Sequence, residues 1–175
     1  MKRSQLEEDL QIVKDIFEDA WSDNWGFLPF TEEEFSELAG QLRFLVEDDY
    51  VQIAEIDGQP SAMLVALPNV HEVIKDLNGR VFPFGWLKIL WRMKFSYPKT
   101  ARVALMGVRK KFQSSPIGAA MAYGMIEAVR VPGLRKGIQE VELSWILEEN
   151  KRMQHILESL GAKPYKVYRL YQKDL

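Results

Sequence analysis

The residues best placed to do chemistry lie between Ala101 and Arg130, in ARVALMGVRKKFQSSPIGAAMAYGMIEAVR. The apolar run 103–108 predicts a buried strand, the polar stretch 109–115 a turn, and 116–130 a helix with Ser115 as its cap and Pro116 in its first helical position. First-turn amides have no partner within a helix, and the helix dipole there favours negative charge, so a strand feeding a turn and a helix start is a natural anion site. Ile117, Gly118 and Ala119 supply amides to such a site; Pro116 has no N–H to offer. Arg109, Lys110 and Lys111 lie just before the turn, where they either draw in an anion or form a solvated strand end.

Other reactive groups are sparse. Glu148 and Glu149 follow a second predicted strand and are either proton acceptors or solvated charges at a helix start, where the dipole suits them. Tyr165 lies in a predicted final strand and either reaches the site or packs at a sheet edge. His71 and His155 have no partner at metal or catalytic spacing, so no metal site is expected. The chain has no cysteine, which removes disulfides, thiol nucleophiles and zinc–thiolate sites. It has no Walker loop, HExxH or G-x-S-x-G elbow. A net charge of −2 gives no basic field for nucleic acid. No signal peptide is visible, and no apolar run approaches the roughly 20 residues of a membrane span. The expectation is a cytoplasmic protein, its 175 residues forming a single domain with 47% apolar residues for a core.

The elements that position these groups read in order as follows. Residues 6–21 carry Leu6, Leu10, Val13, Phe17 and Ala20 at helical spacing. Residues 22–29, SDNWGFLP, form a turn whose Trp25 and Phe27 either fold back on the core, the simpler reading, or wall a pocket. Thr31 and Glu34 make a capping box for a helix over 32–45, with Phe35, Leu38, Leu42 and Leu45 as its stripe. Residues 50–56 and 61–67 form a hairpin about Asp57–Gly58. A short helix over 69–77 leads to 81–93, VFPFGWLKILWRM, in which Trp86, Ile89, Leu90 and Met93 fit helical spacing after Pro83. The stretch 81–93, in a helical insert of about 69–96, is apolar on more than one face. It is read either as a helix on the sheet or as a hydrophobic lid, or a surface for a lipid-like substrate or for a partner subunit in a homodimer. Residues 131–137 read as a loop, 139–146 as a strand and 151–160 as a helix opened by Asn150 and stopped by Gly161. Tyr165 then begins a final strand, 165–172.

A strand, a crossover helix and a second strand make parallel neighbours. The fold class is therefore a mixed α/β sheet with helices on its faces and the insert ahead of the central parallel pair. Ligands in such sheets bind beyond the carboxyl ends of the strands, on the rim that carries Met106–Val108, the 113–119 turn and 146–150.

The strand ending LMGV, the turn and helix FQSSPIGAAM, the second parallel strand and N-x-x-x-x-x-x-L-x-x-L-G from Asn150 to Gly161 resemble the GNAT N-acetyltransferase superfamily over nearly the whole chain. AWSDNWGF, LNGRVFPFGWLK, ELSWILEEN and YKVYRLYQK are similar to the carboxyl-terminal half of longer bacterial GNAT-like proteins of unassigned substrate, of which this chain would be a lone half. The resemblance implies transfer of an acyl group from acetyl-CoA or another acyl-CoA to a small-molecule or peptide amine. It implies that Gln113, Ser114, Ser115, Ile117, Gly118 and Ala119 hold the pyrophosphate in the Q/R-x-x-G-x-G/A turn. Met106, Gly107 and Val108 would offer backbone groups to the pantetheine arm and the thioester, and Asn150 would touch the cofactor. The resemblance assigns no base in this chain, and Glu148 and Tyr165 remain the candidates that the residues themselves offer for the proton transfers. Two departures stand against it. Pro116 replaces the first glycine, and Leu157 stands where many members carry the tyrosine that protonates the leaving thiolate. The alternative is a GNAT-like module that has lost catalysis and acts in binding or assembly.

Overall fold

Alternation along the second strand of the hairpin decides the architecture. Ala62, Leu64 and Ala66 point to one face of the sheet and Met63 and Val65 to the other, and all five are buried. A strand buried on both faces needs a cover on each, and two helices supply it. The computed structural model describes residues 6–42, 47–169 and 171–173. They contain α1 (Leu6–Trp21), α2 (Glu32–Leu42), a 3₁₀ turn (Asp48–Tyr50), β1 (Val51–Ile56), β2 (Gln59–Pro68), α3 (Val70–Ile74), α4 (Gly85–Phe95), β3 (Thr100–Val108), α5 (Lys110–Gln113), α6 (Pro116–Arg135), β4 (Glu140–Leu143) and α7 (Lys151–Ser159). They divide into two compact units, Met1–Ser144 and Trp145–Leu175.

In the first unit the sheet order is β1-β2-β3-β4, antiparallel except for the parallel β3–β4 pair. Met125 and Val129 of α6 pack with Ala62, Leu64, Ala66, Val103, Val108 and Tyr50 on one face. Val13, Ile16 and Phe17 of α1 pack with Val51, Met63 and Val65 on the other. The mixed sheet with helices on both faces and a helical insert before β3 is the architecture expected from the sequence.

Local signals are met where they are strongest. The hairpin turn has φ +51° at Asp57 and +73° at Gly58, as a two-residue primed turn requires. The capping box forms: the Thr31 N–H donates to Glu34 Oε2 (3.0 Å) and the Glu34 N–H to Thr31 Oγ1 (3.2 Å). The far end of the helix expected over 32–45, with Leu45, lies outside the described residues. Phe27 folds back onto Phe17 with ring centroids 5.5 Å apart, while Trp25 stays exposed.

Four expectations are corrected. Residues 131–135 continue α6 instead of forming a loop; the helix passes Pro132 in its last turn and stops only at Gly137, φ +86°. There the Ile138 N–H returns to the Gly133 carbonyl (3.0 Å), and burial of Ile138 and Gly133 outweighs the missing proline donor. The polar stretch 109–115 is not a plain turn, since it holds α5. The strand expected over 139–146 is limited to Glu140–Leu143. No strand forms over the described part of 165–172, where Tyr165, Val167 and Tyr168 are exposed. Alternation marks a strand only when a sheet edge is there to receive it.

The second unit is built on α7. Asn150 caps it, its Oδ1 accepting the Met153 N–H at 3.1 Å, and Gly161 ends it at φ +84°. Glu148 pairs with Arg169 (2.6 Å), and Trp145 meets Tyr168 edge to face.

Candidate functional site

The site begins with an irregularity in β3. Leu105 stands opposite Val65 but Val103 stands opposite Ala66, so Ala104 is an extra residue, a β-bulge. The bulge flips the face of every residue that follows. Val103 packs on the α6 side and Leu105 on the α1 side, although two-residue spacing alone would place them together. It also flips the hydrogen-bonding direction. Before the bulge Val103 faces β4, its carbonyl accepting the Ser144 N–H at 3.2 Å. After it, the Arg109 N–H reaches the Ser61 carbonyl on β2 (2.9 Å), so Leu105, Gly107 and Arg109 face β2. Met106 and Val108 therefore turn their backbone groups to the side β4 has left. The last β3–β4 partners are Val103 and Leu143. Within the described residues of the first unit, no strand pairs with the five residues of β3 that follow on that side.

Two side chains close part of the edge. The Trp21 indole N–H donates to the Met106 carbonyl (3.2 Å), and Gln113 Nε2 donates to the carbonyls of Val108 (2.9 Å) and Ala20 (3.1 Å). On that side the Met106 and Val108 N–H groups have no partner among the described residues. Gly107 sits where α1 crosses: a Cβ there would lie 3.1 Å from the Ala20 Cβ.

The turn that follows is anchored to α1. Arg109 donates to the Pro60 carbonyl (2.7 Å) and pairs with Asp15; the Lys110 N–H donates to Asp19 Oδ2 (2.9 Å) and its ammonium meets Asp23 (2.6 Å). Lys111 lies over the Phe112 ring at 4.8 Å. The basic run thus spends two of its three cations on holding the end of β3 against α1 and the turn that follows it. Asp19, Gln59, Pro60, Arg109 and Lys111 line a shallow open cleft of about 310 Å³ beside it.

At the start of α6 the first-turn amides are largely used. Ser115 Oγ donates to the Phe112 carbonyl (2.8 Å) and accepts the Gly118 N–H (3.1 Å), and the Ala119 N–H bonds the Ser115 carbonyl (3.3 Å). Pro116 has none, and Ser114 is exposed on the turn. The half-exposed Ile117 keeps the first-turn N–H with no partner among the described residues. The donor set fits a phosphate-bearing ligand in part: one amide at the helix start and two along the open strand edge, where a full glycine turn would offer more. Gly118 itself is required by the protein's own backbone, since a Cβ there would stand 2.2 Å from the Phe112 carbonyl oxygen.

Met106, Gly107, Val108, Gln113, Ser114, Ser115, Ile117, Gly118 and Ala119 thus gather on one edge of the first unit, while Glu148, Asn150, Leu157 and Tyr165 belong to the second. Arg169 beside Glu148 holds its carboxyl below the ordinary range, which makes it a poorer proton acceptor. The Asn150 carboxamide oxygen serves as a helix cap. Sequence reasoning missed the bulge at Ala104 and the role of Trp21. Neither has a local signal, because a bulge is defined by the partner strand and Trp21 is 85 residues from the carbonyl it binds.

This sheet, parted after a bulge beside a turn and helix start, is the GNAT acyltransferase fold. The aminoglycoside N-acetyltransferase AAC(6')-Iy, solved with the bisubstrate analogue CoA-S-monomethyl-acetylneamine, superposes with a TM-score of 0.59 at 18% identity, over 100% of this chain and 95% of that one. No protein-family model matches the chain. Among curated proteins it is 53% identical over 175 residues to Protein YghO of Escherichia coli (strain K12), covering all of this chain and 45% of that protein. It is 46% identical over 172 residues to a bacterial ceramide synthase of Caulobacter vibrioides, covering 98% of this chain and again 45% of the relative. The chain therefore spans a little under half the length of the curated relatives it matches.

Proposed function

We propose that this chain carries the acyl-CoA-binding half of an N-acyltransferase that joins a long acyl chain to the amine of a sphingoid-type base. The observation that carries the reading is the open edge of β3, where the bulge turns the Met106 and Val108 N–H groups outward beside the start of α6. Those donors suit the amide-bearing arm of an acyl-CoA and the oxygen of its thioester, on which negative charge grows as the carbonyl is attacked. The amine nitrogen forms the new C–N bond and the C–S bond breaks. The proton leaves the amine for water and the thiolate takes one from solvent, giving an amide and a free thiol. The fold supports acyl transfer, and the likeness to a protein named for ceramide synthesis supports the acceptor class. Asn150 is proposed as a further contact to the acyl-CoA, and Glu148 and Tyr165 as the candidates to relay those protons to and from solvent.

A specific observation favours the second reading, a non-catalytic binding module. Pro116 and the Ser115 cap leave the helix start with one free first-turn amide. Each lost hydrogen bond to a charged group costs about 1.5–3 kcal/mol, a ten- to hundredfold loss of affinity. The test is calorimetric titration with CoA and palmitoyl-CoA, followed by incubation of palmitoyl-CoA with sphinganine while thiol and amide are measured. The expected result is binding and amine-dependent thiol release, with Pro116→Gly binding CoA about tenfold or more tighter. No heat at millimolar CoA and no amide, in wild type and Pro116→Gly alike, refutes the acyltransferase and leaves the module.

A further inference from the structure

Helix α4 is built with its apolar face outward. Ile89, Arg92 and Met93 are its half-buried side chains, and none of its residues is buried. Arg92 reaches α3, donating to the Val73 carbonyl (2.6 Å) and pairing with Asp76, which also takes Lys88. On the other side Leu87, Leu90, Trp91 and Phe95 recur at i, i+3, i+4 and i+8 and are exposed, Trp91 at 60% and Phe95 at 66%. Phe82 and Phe84, just ahead of the helix, are exposed at 83% and 73%. Trp91 and Phe95 pack ring to ring at 5.9 Å, so the stripe is ordered by its own contacts.

The charge carried by this segment itself has one sign, although Asp76 ahead of it pairs with Lys88 and Arg92 and leaves Arg80, Lys94 and Lys99 outside that pairing. Residues 80–99 contain Arg80, Lys88, Arg92, Lys94 and Lys99 and no Asp or Glu, in a chain whose net charge is −2. We propose that α4 and its entry segment, Phe82 to Phe95, seat on an anionic phospholipid bilayer, the helix lying in the interface with its Leu, Trp and Phe side chains among the acyl chains and its cations among the headgroups. An outward stripe of Trp, Phe and Leu flanked by Lys and Arg is the pattern of an interfacial helix. Eleven residues of helix are about 17 Å long, against a hydrocarbon core of about 30 Å, so the helix lies on the bilayer and does not cross it. Lys94, its ammonium 5.5 Å from the centre of the Phe95 ring, is placed to run its stem along the stripe and hold its charge at headgroup level. A second copy is a poorer occupant: a two-fold contact sets the patch against itself and brings like charges together.

This proposal stands on α4 alone and is independent of acyl transfer. Its test is flotation of the full chain with vesicles of equal parts phosphatidylglycerol and phosphatidylcholine, and with phosphatidylcholine alone. The chain is expected to float with the anionic vesicles and not with the neutral ones, and to be released in about 1 M salt, where the screening length is about 3 Å. Trp91→Glu with Phe95→Glu is expected to abolish flotation while leaving far-UV circular dichroism unchanged, because both side chains are exposed. Lys94→Glu, which alters no apolar side chain, is expected to weaken flotation about fivefold or more. Equal flotation with neutral vesicles, wild-type flotation by either variant, or self-association lost in the double variant without any flotation overturns the proposal.

Discussion

Replacing Gly118 with alanine separates a cofactor glycine from a structural one. The new Cβ would lie 2.2 Å from the Phe112 carbonyl oxygen and 2.9 Å from its carbon, and both are backbone atoms. The Phe112 carbonyl also receives Ser115 Oγ at 2.8 Å and the Ser115 N–H at 2.9 Å, so it cannot withdraw by most of an ångström without breaking the cap. Overpacking of this kind costs about 1–3 kcal/mol. Loss of the bond from the Gly118 N–H to Ser115 Oγ adds about 1 kcal/mol. The helix propensity of alanine over glycine returns about 1 kcal/mol. The net is a destabilisation of about 2 kcal/mol, or a fall of about 4–8 °C in melting temperature. Gly124, on the same helix with nothing within 4 Å of its Cβ position, is the control, and Gly124→Ala is expected to be neutral or to stabilise by up to about 1 kcal/mol. Both are measured by thermal and urea melts without ligand. Gly118→Ala melting at or above the wild type would refute the steric account and return the glycine to a ligand-binding role.

Trp21→Phe keeps the packing of α1 and frees the Met106 carbonyl at the open edge. It is expected to cost about 0.5–1.5 kcal/mol of stability and to bind CoA at least as tightly as the wild type by calorimetry; weaker binding would show that the indole is part of the ligand site. Glu72 accepts hydrogen bonds from the Lys99 and Thr100 amides at 3.0 and 2.9 Å and from the Thr100 hydroxyl. Burial alone would raise its pKa, but these bonds together outweigh burial and hold it below 4.5. A lowered folded-state pKa contributes stability that is present above the unfolded value and is lost as pH falls through the folded one. Glu72→Gln is therefore expected to flatten the loss of stability below about pH 4.5, followed by urea melts across pH; an unchanged acid limb would count against it.

Much of the fold was legible because it rests on short-range rules. The capping box at Thr31, the Asp57–Gly58 hairpin, the Ser115 cap and the Asn150 and Gly161 ends of α7 each need only neighbouring residues, and all of them form. The misreadings fall where a partner far in sequence decides. Pro132 and Gly133 look like a loop until Ile138 packs back on the helix end. Tyr165 to Gln172 looks like a strand, but alternation cannot supply an edge to pair with. Stripe residues of α4 were read at Trp86, Ile89, Leu90 and Met93, whereas the exposed row runs through Leu87, Leu90, Trp91 and Phe95, because periodicity shows that a face exists without showing which way it points.

The sequence by itself determined most of the order of elements, the parallel pair and the strand-to-helix junction proposed as the site. Only the tertiary structure decided what that site presents. The bulge at Ala104 exists through the register with β2, and it alone turns Met106 and Val108 toward the open edge. Trp21, Gln113 and Ser115 then claim the Met106 carbonyl, the Val108 carbonyl and the Gly118 N–H. A backbone group looks the same in any sequence; whether it is left for a ligand depends on which other parts of the folded chain reach it first.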